Sequence, residues 1–348
     1  MGPKGKPVYT TDNTSPAEYY ALKNLDRNIS GLYKVSPENR NQVVSQLVGF
    51  LSEGFPYHIV RTDIKDFFES IPHDRILSKI KGDQLVSQAS LRLVSQVLDS
   101  FATISRTPGV GLPRGVGLSS YLSELYMRDL DARMREHPDV VFYARYVDDI
   151  VVLYTAPPQI DCRSHLSAIR SLVSEKGLAL NDTKTDQSPL TDGGRPEGRG
   201  AWSFEYLGYK FTFKDGLEVG LSESRRAKYK GRLAASFSNY EKQRAKNQKA
   251  AYRLLVKRVR LLAGNTQLTH NKSNAYVGIY FSDTHLTLDK DLNDLDVELR
   301  RATARLASAS LKGRLNSLSF KKGFSERIFR RFHRRGEFAQ ITKAWSYE

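Results

Sequence analysis

The chain has 348 residues, 40% of them hydrophobic and 26% charged, the composition of a soluble folded protein large enough for two or three subdomains. A single cysteine and seven scattered histidines exclude a disulfide framework, a cysteine zinc site and any histidine metal spacing. The formal net charge of +16 is one-sided: residues 1–221 hold 26 Lys/Arg against 27 Asp/Glu, and residues 222–348 hold 28 against 11. That asymmetry points to a polyanionic partner, nucleic acid before anionic membrane.

In chain order, the opening MGPKGKPVYTTDN has no apolar leader core and has Lys6 where a myristoylation signal needs Ser or Thr, so a cytoplasmic protein is expected. No segment approaches the length of a membrane span. Residues 1–15 read as a polar, mobile arm. A helix is predicted over 15–28, with Ser15 as cap and Pro16 in the first turn, and a second over 36–54, ending at Gly54. Residues 57–68 read as strand, 83–102 as helix, and 112–136 as a Gly-rich loop running into a helix with Leu118, Leu122, Leu125 and Leu130 on one face. Strand is expected around 140–154, helix over 160–176, an exposed loop over 188–201, and a strand or hairpin over 204–213. From 222 onward the pattern is basic and helical, except near 275–282.

The segment FYARYVDDIV (142–151) places Asp148 and Asp149 together inside an apolar, strand-forming run. A tight turn alone accounts for such a pair. Two carboxylates at a hairpin tip also repel unless a cation lies between them, and a divalent ion takes carboxylate oxygens while leaving positions open for phosphate. Asp63, closing the β-branched run IVRTD, supplies a third carboxylate. Three carboxylates on neighbouring strands suit two-metal phosphoryl transfer.

At these residues the chain resembles bacterial reverse transcriptases of the retron, group II intron and defence-associated kind. TDIKDFF, GLPRGVGLSS, YVDD, GLALNDTKT and FEYLGYKF are similar to five successive motifs of that family, in the family's order. The resemblance implies an α+β right-hand polymerase. Residues 1–62 would form an arm and reduced fingers, 63–221 a palm with an antiparallel sheet and a helical fingers insertion at 74–111, and 222–348 a basic helical thumb. It implies an RNA-directed DNA polymerase that extends a 3′-OH with dNTPs. Asp63, Asp148, Asp149 and Lys184 would be catalytic, and Asp63, the Ile64 carbonyl, Asp148 and Asp149 would hold two Mg²⁺ ions, with Mn²⁺ an alternative. Phe68 would exclude a ribose 2′-OH, with core packing as the other reading, and Gly115 would let nucleotide or template approach. Lys184 would neutralise or protonate pyrophosphate, with a solvated surface charge as the other reading. Tyr206, Leu207 and Gly208 would hold the primer end.

Two positions depart from the family: Arg114 stands for a glutamine and Ser120 for a proline. Arg114 is expected to grip a phosphate or to block an ordinary template path. Lys34, Arg40 and Arg61 are the candidates for the triphosphate clamp. The basic region would follow a nucleic-acid backbone through Arg225, Arg226, Lys228, Lys230, Arg330, Arg331, Arg334 and Arg335, while Phe320, Phe324, Phe329 and Phe332 read as thumb core. The expected partners are an RNA template (a noncoding RNA among the candidates), the DNA product and dNTPs, with an accessory protein or a second copy and no membrane. An antiphage role follows from the resemblance alone. Two other functions stay open: a polymerase acting without a conventional template, and a maturase-like RNA-binding scaffold.

Overall fold

The structure is a computed structural model, and it describes residues 7–9, 15–36, 38–155, 163–198, 200–268, 274–332 and 336–345. The first elements are α1 (Pro16–Tyr33), α2 (Arg40–Ser52), β1 (Tyr57–Asp63), α3 (Phe67–Ser70), α4 (His73–Asp83), α5 (Gln88–Ser105) and α6 (Gly117–Arg135). They are followed by β2 (Val140–Tyr146), β3 (Asp149–Thr155), α7 (Arg163–Glu175), β4 (Asp186–Thr191) and β5 (Arg195–Pro196). Strands β6 (Trp202–Tyr206), β7 (Tyr209–Phe213) and β8 (Leu217–Leu221) then precede α8 (Glu223–Arg244) and α9 (Gln248–Leu262). The remaining elements are β9 (Asn265–Gln267), β10 (Tyr276–Gly278), α10 (Lys290–Ala304), α11 (Ala309–Asn316), α12 (Phe320–Ser325) and α13 (Glu337–Thr342).

The chain divides into two compact units: residues 1–202 with 213–216, and residues 203–212 with 217–348. The first unit is built on an antiparallel sheet in the order β2-β3-β1-β4-β5. Its core joins Val60, Ile150 and Val152 of the sheet, and Ile64 just after β1, to Leu118, Leu122, Leu125 and Leu130, the α6 face expected from the leucine spacing. The second unit has its own core, drawn from α8 to α12, and includes Leu233, Leu255, Val259, Leu295, Leu311 and Phe320. Strands β6, β7 and β8 form a three-stranded meander, so 204–213 is the expected hairpin. Among the described residues no helix is long and apolar enough to cross a membrane.

Several boundaries differ from the expectations, each for a local reason. Helix α1 runs on to Tyr33 because Ile29 and Tyr33 continue its buried face. Helix α2 starts at Arg40 and not at 36 because Asn39 caps it, its side chain accepting from the amides of Asn41 and Gln42. The strand expected to reach 68 stops at Asp63, because Asp66 takes φ 46° and turns the chain into α3. The 188–201 stretch is not simply an exposed loop: Ser188 and Pro189 lie on β4, paired to Ile59 and His58 of β1. The free edge of β1 carries unpaired backbone groups, and β4 satisfies them.

Candidate active site

The register of β1 against β3 sets Asp63 directly opposite Asp149. Like charges placed so in an antiparallel pair repel, so the pairing needs cations nearby. Tyr146 pairs with Asp149, which leaves Val147 and Asp148 as a two-residue turn between β2 and β3. Such a turn needs a left-handed residue, and Val147 supplies it at φ 61°, a strained conformation for a β-branched side chain. The Ile64 amide donates to the Asp148 carbonyl at 2.9 Å, which ties the turn to the end of β1. One carboxylate oxygen from each of Asp63, Asp148 and Asp149 lies within 4.8 Å of the others. Three hard oxygen donors at that spacing suit Mg²⁺ or Mn²⁺ rather than a soft metal, so the residues fit the expected ions.

Lys184 and Arg61 both reach this carboxylate cluster. Lys184 Nζ donates to Asp63 Oδ2 at 2.8 Å, and Asn181 Nδ2 donates to Asp63 Oδ1 at 3.2 Å. Arg61 Nη2 donates to Asp149 Oδ1 at 2.8 Å, and its Nη1 donates to the Lys184 carbonyl at 2.6 Å. The Asn181 amide donates to the Asp63 carbonyl at 2.8 Å, so the turn carrying Lys184 is fastened to β1 by main chain as well. Burial raises the Asp149 carboxyl above the usual range; Arg61 opposes this, and the Asp148 and Asp63 charges add to it.

Beneath the turn lies a network that sequence reasoning missed. The Arg145 side chain is 2% exposed and forks onto Asp131 through Nε at 2.8 Å and Nη2 at 2.7 Å. It also reaches Glu124 through Nη2 at 2.6 Å and the Val147 carbonyl through Nη1 at 2.9 Å. Tyr143 donates to Asp131 at 2.7 Å. Helix α6 thus holds the strained turn from below through one guanidinium. The signal is an arginine inside the apolar run FYARYV.

Phe68 stands in α3, half-buried against the core of the first unit. Arg114 does not lie loose beside it. Its Nε and Nη2 donate to Glu69 Oε1 and Oε2, each at 2.9 Å, and its Cζ lies 5.1 Å from the Phe68 ring centroid. Nothing in the sequence marks Glu69 for this contact. Gly115 takes φ 91°, and a Cβ there would sit 2.4 Å from Val8 Cγ1 and 2.7 Å from the Tyr9 carbonyl. The part of the molecule that approaches Gly115 is therefore the stretch 7–9, expected from the sequence to belong to a mobile arm. The Tyr9 amide donates to the Arg114 carbonyl at 2.8 Å, and the Tyr9 ring meets Phe101 edge-on. Of the other clamp candidates, Lys34 is exposed and closes α1 at φ 50°, and Arg40 opens α2 beside Asn41.

In the second unit, Leu207 (φ 47°) and Gly208 (φ 83°) form the tip of the β6–β7 hairpin after the buried Tyr206. The basic residues are not equivalent. Arg225 Nε lies 2.6 Å from the fully buried Asp283, and Arg226 Nη1 lies 3.3 Å from Asp291. These two arginines brace the unit internally. Lys228, Lys230 and Arg331 are exposed, and Arg330 is half-buried. Arg225, Lys228 and Arg232 are among the residues lining a cavity of about 750 Å³. Arg334 and Arg335 lie outside the described residues. Phe320, Phe324 and Phe332 pack in or against the core as expected, while Phe329 is exposed.

The chain is similar to known proteins. Residues 23–211 match the family model "Reverse transcriptase (RNA-dependent DNA polymerase)". Telomerase from Candida albicans, in complex with a TWJ fragment of telomeric RNA, is 12% identical, with 87% of this chain and 57% of that chain covered at a TM-score of 0.42. Telomerase from Candida tropicalis is similar both with the TWJ fragment (12% identity, 96% and 55% covered, TM-score 0.40) and in its apo form (13%, 95% and 53%, TM-score 0.41). The chain thus spans little more than half the length of these structures. No curated protein matches it in sequence.

Proposed function

The chain belongs to the reverse transcriptase family, with that family's mixed helix and antiparallel-sheet fold, and on that premise we propose that it is an RNA-directed DNA polymerase. The observation that carries the reading is the meeting of Asp63, Asp148 and Asp149 within 4.8 Å at the joined ends of β1 and β3. In the proposed reaction a primer 3′-hydroxyl attacks the α-phosphate of a dNTP. One phosphorus–oxygen bond forms, another breaks, and pyrophosphate leaves.

Divalent metal, when bound, activates the hydroxyl and offsets the charge on the leaving group. Asp63 and Asp148 would be its main ligands, with the Ile64 carbonyl beside them. Asp149, held by Arg61, would keep the site aligned. Lys184 would neutralise or protonate the departing pyrophosphate. Phe68 would wall the sugar side of the nucleotide, and Tyr206, Leu207 and Gly208 would hold the primer end. The exposed cations of the second unit, Lys228 and Lys230 among them, would follow phosphates of template and product. The finer placement, a bacterial enzyme of the retron, group II intron or defence-associated kind, rests on the motif resemblance. Its antiphage part is tested by deleting the gene with its neighbours intact, which should raise phage plating; unchanged plating counts against it.

The enzymatic test uses the purified protein with any RNA it carries, labelled dNTPs and Mg²⁺. DNA synthesis that stops on RNase treatment and is lost in Asp148→Ala supports the proposal. Synthesis that survives RNase favours an unconventionally templated polymerase, and tight RNA binding without synthesis favours a scaffold.

A further inference from the structure

We propose that Arg114 and Glu69 form a single neutral clamp that fixes the Phe68 ring, which makes this pair the determinant of sugar selectivity at the nucleotide pocket. The inference rests on the polymerase reading above and concerns the class of nucleotide accepted.

The geometry is that of a fork closed on a carboxylate. Arg114 donates two parallel hydrogen bonds to Glu69, both at 2.9 Å, the bidentate arrangement that adds directional rigidity to charge attraction. The guanidinium lies at cation–π distance from Phe68, 5.1 Å from its centroid. Phe68 and Glu69 are consecutive residues of α3, and the one guanidinium reaches both, its fork on the Glu69 carboxylate and its Cζ over the Phe68 ring.

Main-chain bonds set the distance between the two sides of the clamp. The Leu112 amide donates to the Phe68 carbonyl at 2.7 Å, and the Gly111 amide donates to the Ile71 carbonyl at 2.8 Å. Gly111 is required there, because a Cβ would fall 2.8 Å from the Phe101 ring and 3.2 Å from the Glu69 carbonyl. The Arg114 carbonyl is held in turn by Tyr9. The loop therefore presents its arginine to α3 at a fixed height.

Charge decides between this role and the phosphate grip expected from the sequence. Hydrogen bonding to Glu69 is the main reason the guanidinium is held more firmly charged than usual, and Asp148 adds to it from the carboxylate cluster. A triphosphate would have to displace a bidentate carboxylate before it could use that charge. A neutral pair can restrain the ring without drawing phosphate out of line. Lysine at 114 would keep the charge but lose the fork.

The test compares kcat and KM for a dNTP and the matching rNTP on one RNA template–primer. The enzymes are wild type and the variants Arg114→Gln, Arg114→Lys, Glu69→Gln and the exchanged pair Arg114→Glu/Glu69→Arg. Arg114→Gln and Glu69→Gln should each lower the dNTP-over-rNTP ratio of kcat/KM by about tenfold, the scale of one charge-assisted contact, mainly through a lower KM for the rNTP. Arg114→Lys should resemble Arg114→Gln, and the exchanged pair should regain most of the ratio. Unchanged ratios in both glutamine variants overturn the clamp. So does a raised dNTP KM in Arg114→Gln that Glu69→Gln does not share, which is the signature of a phosphate grip. If the exchanged pair does not fold, Glu69→Asp takes its place. Its shorter carboxylate leaves the fork open, so it should lower the ratio as Glu69→Gln does, and an unchanged ratio overturns the clamp. Synthesis indifferent to Asp148→Ala overturns the polymerase reading itself, whereas Asp148-dependent synthesis with unchanged ratios overturns the clamp alone.

Discussion

Lys184 donates to Asp63 across 2.8 Å, so the cation expected to meet pyrophosphate lies against a carboxylate expected to hold metal. The two expected roles compete for one oxygen, Asp63 Oδ2. Lys184→Met should therefore slow nucleotide incorporation by about 100-fold, in the range of a lost proton donor. It should at the same time reduce the Mg²⁺ concentration needed for half-maximal rate. Magnesium titrations of both enzymes check this; an unchanged half-saturation point would show that Lys184 does not restrain Asp63.

Arg145 anchors the turn from below, and its removal leaves Asp131 and Glu124 charged without their partner. Arg145→Met should cost about 3–5 kcal/mol of stability, the usual penalty for stranding a buried charge. Urea unfolding followed by circular dichroism reads it directly. A loss near that of a surface substitution would mean that the network carries little of the fold.

His58 and His165 meet at 2.8 Å between their Nδ1 atoms, with Tyr154 stacked on His165, and both imidazoles are buried. Burial, and then the His165 charge, lower His58 to about 4, and burial also lowers His165 against the opposing pull of Asp139. A lowered histidine means that the unfolded chain binds the proton more tightly than the folded one. The contribution is complete above the unfolded value near 6.5 and is lost as pH falls from there towards about 4. Stability should drop by about 2 kcal/mol between pH 7.5 and 5 on account of His58. His58→Gln should flatten that dependence, as urea midpoints at the two pH values would record; an equally steep loss in the variant assigns the dependence elsewhere.

Lys230 is exposed, whereas Arg225 and Arg226 are engaged by Asp283 and Asp291. The two kinds of residue should separate in a salt titration of RNA binding. Lys230→Gln should reduce the slope of log affinity against log salt by about 0.7 while leaving stability intact. Arg225→Gln should destabilise the second unit, because the buried Asp283 then loses its ion pair to Arg225. An equal slope change for all three residues would rule out the division.

Much of the site is legible in the sequence because it depends on short-range rules. An apolar, strand-forming run and a two-residue turn place Asp148 and Asp149, and a carboxylate closing a β-branched run places Asp63. What sequence cannot supply is the partner brought from a distance. Glu69 meets Arg114 only because the 111–115 loop hydrogen-bonds to α3. Arg145 finds Asp131 and Glu124 only once α6 packs beneath β2. His58 and His165 are 107 positions apart. The strand at 186–191 is hidden by the Pro and Gly around it, which give the segment the composition of a loop. Its pairing follows from the open edge of β1, a property of the sheet and not of the segment.

Whether Asp63, Asp148 and Asp149 form a metal-dependent polymerase centre is decided by Mg²⁺-dependent incorporation of dNTPs on a defined RNA template and primer. The comparison is between wild type and Asp148→Asn, a variant that keeps the shape of the turn and removes one charge. Template-directed extension by wild type should fall at least about 1000-fold in Asp148→Asn with folding unchanged. Equal extension by the two proteins would refute the assignment.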